Sequence, residues 1–167
     1  MVRVYVPATL AMLQQSIADR TISAVNGTAF AVTPTLRESY AEGDDDELAE
    51  VALREAALAS VRLLAGATDD AGLPPRRVVL VAETDGVTAR PDLDDAVVRL
   101  SGPLAIDDVI AAYVDNSDAE SAVLAAIDVV DAADLGDEDA ELTVGDAQDH
   151  DLAWYAAQEL PFLLELL

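Results

Sequence analysis

Cysteine and lysine are both missing from the 167 residues, and histidine occurs once. Without cysteine there are no disulfides, no thiolate metal sites and no cysteine nucleophile, so a secreted, oxidised framework is disfavoured. Without lysine there is no Schiff-base chemistry and no phosphate-cradling loop closed by a lysine. A single histidine leaves any two-histidine metal site dependent on a second chain. No run of about 18 apolar residues exists, which argues against a membrane span. The opening MVRVYVPATL lacks the apolar stretch of a signal peptide. Gly-x-Gly-x-x-Gly, Gly-x-Ser-x-Gly and His-Glu-x-x-His motifs are absent as well. These absences lead to the expectation of a cytoplasmic protein with no cofactor and no metal.

Acidic residues dominate what is present. Nine arginines face 33 Asp and Glu, a formal net charge of −24. Nucleic-acid binding needs a basic footprint that displaces counterions from phosphate, and scattered arginines do not make one. Anionic membrane surfaces are disfavoured for the same reason. The positive mean hydropathy of +0.24 argues against disorder. Self-repulsion at this charge is unscreened at low salt, so the thermal unfolding midpoint is expected to rise with added NaCl. A midpoint indifferent to salt would contradict this.

Hydrophobic patterning gives the elements. Val2–Pro7 alternates and reads as a strand, and Leu10, Leu13 and Ile17 make a helix capped by Thr9. Asn26-Gly27 marks a turn before a strand over 29–33, stopped by Pro34. The connection 34–46 reads as a loop. Asp44, Asp45 and Asp46 then open a long helix over 47–65, where their charge complements the helix dipole. VVLVAE at 78–83 is apolar on both faces, which suggests a central strand. Residues 84–94 read as an exposed loop, 96–100 as a strand, 106–110 as a short helix and 112–115 as a strand. Ser117 and Glu120 form a capping box for a helix that ends at Gly136. A short strand over 142–144 and a final helix over 149–167, interrupted at Pro161, complete the chain. The order predicts a single α+β domain over residues 1–167. Its sheet is mixed, of about five to six strands, with helices packed mainly on one face.

Candidate functional residues are few. His150, flanked by Asp149 and Asp151, could transfer protons near neutral pH; alternatively it only starts the last helix, with Trp154 in the core. Arg37, beside Glu38 and Tyr40, could hold an anionic ligand, or it could pair with one of many carboxylates. A ligand pocket would draw on Arg37, Tyr40, Trp154 and His150. The carboxylate runs 44–47 and 134–141 could meet a divalent cation, but the first reads better as a helix start and such runs as solvated faces. The leucine-rich end PFLLELL could dock on its own sheet or form a homodimer seam.

The segments VRVYVPATLAMLQ, TAFAVTPTLRESYAEGDDDELAEVAL and DLGDEDAELTVGDAQDHDLAWYAAQELPFLL resemble a family of uncharacterised actinobacterial proteins across nearly the whole chain. The resemblance implies a bacterial cytoplasm and carries no catalytic residues with it. The expected function is a non-catalytic protein-interaction or binding module, acting on a protein partner or on itself. The alternatives are a small enzyme or small-ligand binder and an acidic DNA mimic. The candidate residues fall in two places, the loop at Arg37 and the segment at His150.

Overall fold

The fold is described from a computed structural model covering residues 1–40, 42–67 and 72–166. The chain runs β1 (Val2–Ala8), α1 (Leu10–Asp19), β2 (Thr21–Ile22), β3 (Thr28–Phe30), α2 (Pro34–Ser39), α3 (Asp45–Gly66) and β4 (Val78–Thr84). It continues through β5 (Val87–Ala89), β6 (Val97–Leu100), β7 (Leu104–Ala105), β8 (Val109–Val114), α4 (Glu120–Asp134), α5 (Glu138–Gln148), β9 (Ala153–Ala156) and α6 (Leu160–Glu165). Seven strands form one sheet in the order β5-β6-β3-β1-β4-β8-β9, and β2 pairs with β7 in a separate two-stranded ribbon.

Every pairing in the sheet is antiparallel, so the expected mixed sheet is corrected. The reason lies in β1. Helices α2 and α3 carry the chain from β3 to β4, and these two strands are parallel to each other. They lie on either side of β1 and never pair, so the crossover makes no parallel ladder.

The helices also cover both faces, not mainly one. Val4, Val6, Leu80 and Ala82 point to a face closed by Leu10 and Leu13 of α1 and Leu160 and Leu163 of α6. Tyr5, Phe30, Val79 and Val81 point to the opposite face, under Leu48, Ala52 and Ala56 of α3. This is why VVLVAE is apolar without interruption. The small buried residues Ala52, Ala56, Ala57 and Ser60 let α3 lie close to the sheet, over β1, β3 and β4. A hairpin of α4 and α5 packs Val123, Val130 and Val144 against Val61 at the far end of α3.

Two helix starts are as the residues promised. The Thr9 hydroxyl accepts from the Met12 amide, and the Asp44 carboxylate from the Glu47 amide. Elsewhere local signals were overridden. Residues 34–46 hold a helix, α2, because Thr33 caps it and Pro34 fits its first turn. The loop expected over 84–94 contains β5, paired with β6. Residues 106–108 make a single tight turn, and β8 starts at Val109. The capping box does not form: Glu120 is drawn to Arg76, its Oε2 2.9 Å from both Nε and Nη2, and Ser117 makes no side-chain cap. Residues 142–144 are helical, inside α5, where Asp137 caps and Ala140, Val144 and Ala147 bury one helical face. The helix expected over 149–167 is instead β9 followed by α6, with Pro161 in the first turn of α6; Leu167 lies outside the described residues.

Arg62 on α3 grips Asp134 at the end of α4 with two 2.9 Å hydrogen bonds. The guanidinium hydrogen bonds hold the Asp134 carboxyl below its usual range, against a smaller opposing effect of burial. A depressed folded-state pKa stabilises above the unfolded value and is lost as pH falls through the folded one. Asp134→Asn is therefore expected to cost about 0–1 kcal/mol at pH 7, both partners being well exposed, and nothing once the solution is acidic enough to protonate Asp134 in the fold. Urea melts at the two pH values check this; an equal loss at both would contradict it.

Candidate functional site

Because α3 stops at β4, the same sheet face is open over β8 and β9. Tyr113 and Trp154 stand directly opposite each other across these two strands. The cross-strand row beside them runs Tyr5, Val81, Ala111 and Ala156, so small residues form a low floor. A register shift between Val81 and Ala82 breaks the β4–β8 ladder where Ile110 reaches this rim.

Three hollows join here. A middle one of about 220 Å³ is lined by Arg3, Tyr5, Ala111, Tyr113 and Trp154. It shares Tyr113 with a hollow of about 330 Å³ bordered by Glu50, Arg54, Gln148, His150 and Asp151. It shares Arg3 and Tyr5 with one of about 350 Å³ that reaches Arg37, Asp45, Asp46 and Glu83. Adjacent through these shared residues, the three hollows form a trough beside α3. Burial pushes the Tyr5 phenol above its ordinary pKa; Tyr113 adds to this and Arg3 opposes it.

The end of the trough near His150 rests on a buried ion pair. Arg77 and Asp115 have side chains 1% and 0% exposed. The guanidinium donates Nε to Oδ2 at 2.9 Å and Nη2 to Oδ1 at 2.7 Å, and the Arg77 amide also reaches Oδ2 at 2.8 Å. The remaining donors go to Gln148 Oε1 and to the His150 carbonyl. Gln148 in turn donates to the Arg54 carbonyl and accepts, through its own carbonyl, from Nη1 of Arg54. The network ties the start of β4, the end of β8, α3 and the end of α5 together. It thereby sets where residues 149–152 lead into β9.

A family model described as a family of unknown function, DUF6912, matches residues 2–164. The chain belongs to that family. No curated protein and no solved structure matches it. In this DUF6912 chain no helix among the described residues is long and apolar enough to cross a membrane. Among the same residues no group of three or more His, Asp or Glu is placed to hold a metal ion. Asp44 of the first carboxylate run and Asp137 of the second each cap a helix, and Asp134 is held by Arg62.

The trough brings some of the expected residues together and separates others. His150 follows the end of α5, not a helix start, and it lines the 330 Å³ hollow. Trp154 lines the middle hollow and is 57% exposed, which overturns its expected place in the core. Its emission is expected to resemble tryptophan in water and to be strongly quenched by acrylamide; a blue-shifted, unquenched spectrum would contradict this. Arg37 lies at the far end of the trough and is held by Asp45 at 2.6 Å, the intramolecular pairing weighed against a ligand role. Tyr40 is exposed just beyond α2 and lines none of the three hollows. Leu160 and Leu163 of the C-terminal segment dock on the chain's own sheet, leaving Phe162 and Leu166 exposed.

Residues that residue-by-residue reading passed over are Tyr5, Arg54, Arg77, Tyr113, Asp115 and Gln148. Arg77 was visible only as one of two arginines before a strand. Nothing local links it to Asp115, 38 positions on. The trough's aromatic faces and carboxylates can adsorb flat or cationic groups.

Proposed function

We propose that this chain is a non-catalytic binding module that takes a polypeptide segment into the trough beside α3. One observation supports it above the others: a tryptophan stands largely exposed on the outermost strand, opposite a tyrosine, at the edge of an open aromatic trough. An indole left in water is costly unless something covers it, and aromatic anchors dominate protein recognition. The second reading, a small-ligand site, has one observation in its favour. Arg54, Tyr113, Gln148 and His150 share a single hollow of about 330 Å³, within the range of small-molecule pockets.

Selection from an unbiased peptide-display library tests the proposal, with Trp154→Ala and Tyr113→Ala as counter-selections. Peptides are expected whose affinity drops at least about tenfold in either variant, the size of a recognition hot spot. A library that yields no peptide dependent on these two residues would overturn the binding-module reading. Small anions that compete with such peptides would favour the small-ligand hollow.

A further inference from the structure

Strand β9 ends the sheet. Its inner side pairs with β8, and among the described residues no strand covers its outer side. Half of its backbone N–H and C=O groups therefore face outward, a template for another strand. Edges of this kind are normally guarded by charge or proline. Residues 152–158, Leu-Ala-Trp-Tyr-Ala-Ala-Gln, contain neither. The trough floor, with Trp154 on its rim, continues straight to this edge.

Charge selects the occupant. All nine arginines lie at or before position 99, while residues 100–167 contain 17 Asp and Glu and no basic residue apart from His150. That stretch supplies β8, β9, α4, α5 and α6, which bring carboxylates and no arginine of their own; Arg62, Arg76 and Arg77 reach across to pair with Asp134, Glu120 and Asp115, leaving the other carboxylates in excess. Asp149 and Asp151 precede β9, and Glu159 follows it. Across the hollow, Glu50 makes no ion pair among the described residues. Arg3, Arg37 and Arg77 are already held by Glu83, Asp45 and Asp115, while Arg54 on the wall of the hollow donates to the Gln148 carbonyl. A second copy would lie antiparallel on β9, bringing the Asp151 end of each chain beside the Glu159 end of the other. Arg54 borders the same hollow as Asp151, but two whole chains, each at a formal net charge of −24, would still repel.

We infer that β9 receives an extended, cationic segment of another protein by strand addition, with apolar side chains alternating against arginine or lysine. One row of its side chains would lie on the aromatic trough, where Trp154 and Tyr113 offer faces to a cation or an alkyl stem. The outward backbone groups of β9 would be satisfied by the guest's backbone. This inference rests on reading the trough as a polypeptide site and adds the backbone mode and the charge of the guest.

Three synthetic peptides of about ten residues, strand length, test it. The first alternates arginine with valine, the second replaces arginine by glutamate, and the third is the first N-methylated along one backbone edge, made in two versions, one for each edge. Trp154 emission reports binding, and amide exchange at Ala153–Ala156 reports pairing. The arginine peptide is expected to saturate and to slow exchange at alternate β9 amides. Its affinity should fall at least about tenfold between low salt and roughly 0.5 M NaCl. Methylation on the pairing edge should abolish both signals, while leaving the charge and the protein untouched. Equal binding of the glutamate peptide would overturn the inference. So would undiminished binding of peptides methylated on either edge, or β9 amides already protected in a dimer without peptide. Trp154-dependent library peptides that leave β9 exchange unchanged would defeat strand addition while the binding-module reading stands.

Discussion

Replacing Asp115 by alanine is expected to cost about 3–5 kcal/mol, the loss that follows when one partner of a fully buried ion pair is removed. Arg77 would keep its charge in a place with almost no solvent contact. Its guanidinium would lose the bonds to both Asp115 oxygens, and the Arg77 amide would lose its acceptor too. A domain of this size has ~5–15 kcal/mol of stability in total. With a urea m-value of ~2 kcal/mol per molar, the midpoint would move down by roughly 2 M. Arg77→Lys should fail nearly as badly, because an ammonium cannot reach Asp115 bidentately and also serve Gln148 and the His150 carbonyl. Removing both charges together, as Arg77→Met with Asp115→Leu, should recover part of the loss by eliminating the unpaired charge. Recovery would be incomplete, since Gln148 Oε1 and the His150 carbonyl would still lose their donor. A midpoint for Asp115→Ala within about 1 kcal/mol of the parent would show that the pair contributes no more than an exposed one.

The second large effect is expected at Ser60, on the buried face of α3. Its hydroxyl donates to the Ala8 carbonyl at 2.6 Å and accepts from the Val78 amide at 3.1 Å. Ala8 and Val78 are register partners where β1 and β4 part, so one hydroxyl joins helix to both strands. Ser60→Ala leaves a donor and an acceptor without partners at a fully buried position. Each unsatisfied group costs about 1–3 kcal/mol, so the loss should far exceed the small change in volume. Ala56→Ser, on the same face, is the control: it adds a hydroxyl where none is bridged and should not compensate. Hydrogen exchange at the Val78 amide should accelerate in Ser60→Ala alone. A loss below about 0.5 kcal/mol, typical of a surface change, would mean the strand ends re-pair directly.

Both predicted effects concern groups that sequence patterning could not assign. Ser60 sits among alanines and looks like an ordinary small helix residue. Asp115 is one acid among 33. Their importance comes from which elements meet at them, and that is a property of the assembled fold.

The residues around β9 illustrate the same division. Leu152, Tyr155, Leu160 and Leu163 happen to fall near a helical spacing, which made 149–167 read as one helix. The chain instead lays Ala153–Ala156 along β8, turning Tyr155 toward the α1 and α6 side and Trp154 into the trough. Strand formation there depends on an exposed edge of β8, 40 residues earlier, and on the Arg77 bond to the His150 carbonyl. Neither is visible within the segment. In α5 the reverse occurred: Leu142–Val144 reads locally as a short strand, but Asp137 caps a helix that buries Ala140, Val144 and Ala147 along one face.

What the sequence determined by itself was local or summed over the chain. The caps at Thr9 and Asp44, the alternation of β1 and the double-sided apolarity of β4 are written in adjacent residues. The excess of carboxylates and the missing cysteine and lysine are written in composition. Tertiary structure alone decided that β1 separates two parallel strands, that Arg77 meets Asp115, and that Trp154 faces water beside Tyr113. Those outcomes depend on contacts between distant positions, where burial and charge pairing outweigh the fraction of a kilocalorie that local propensity contributes at each residue.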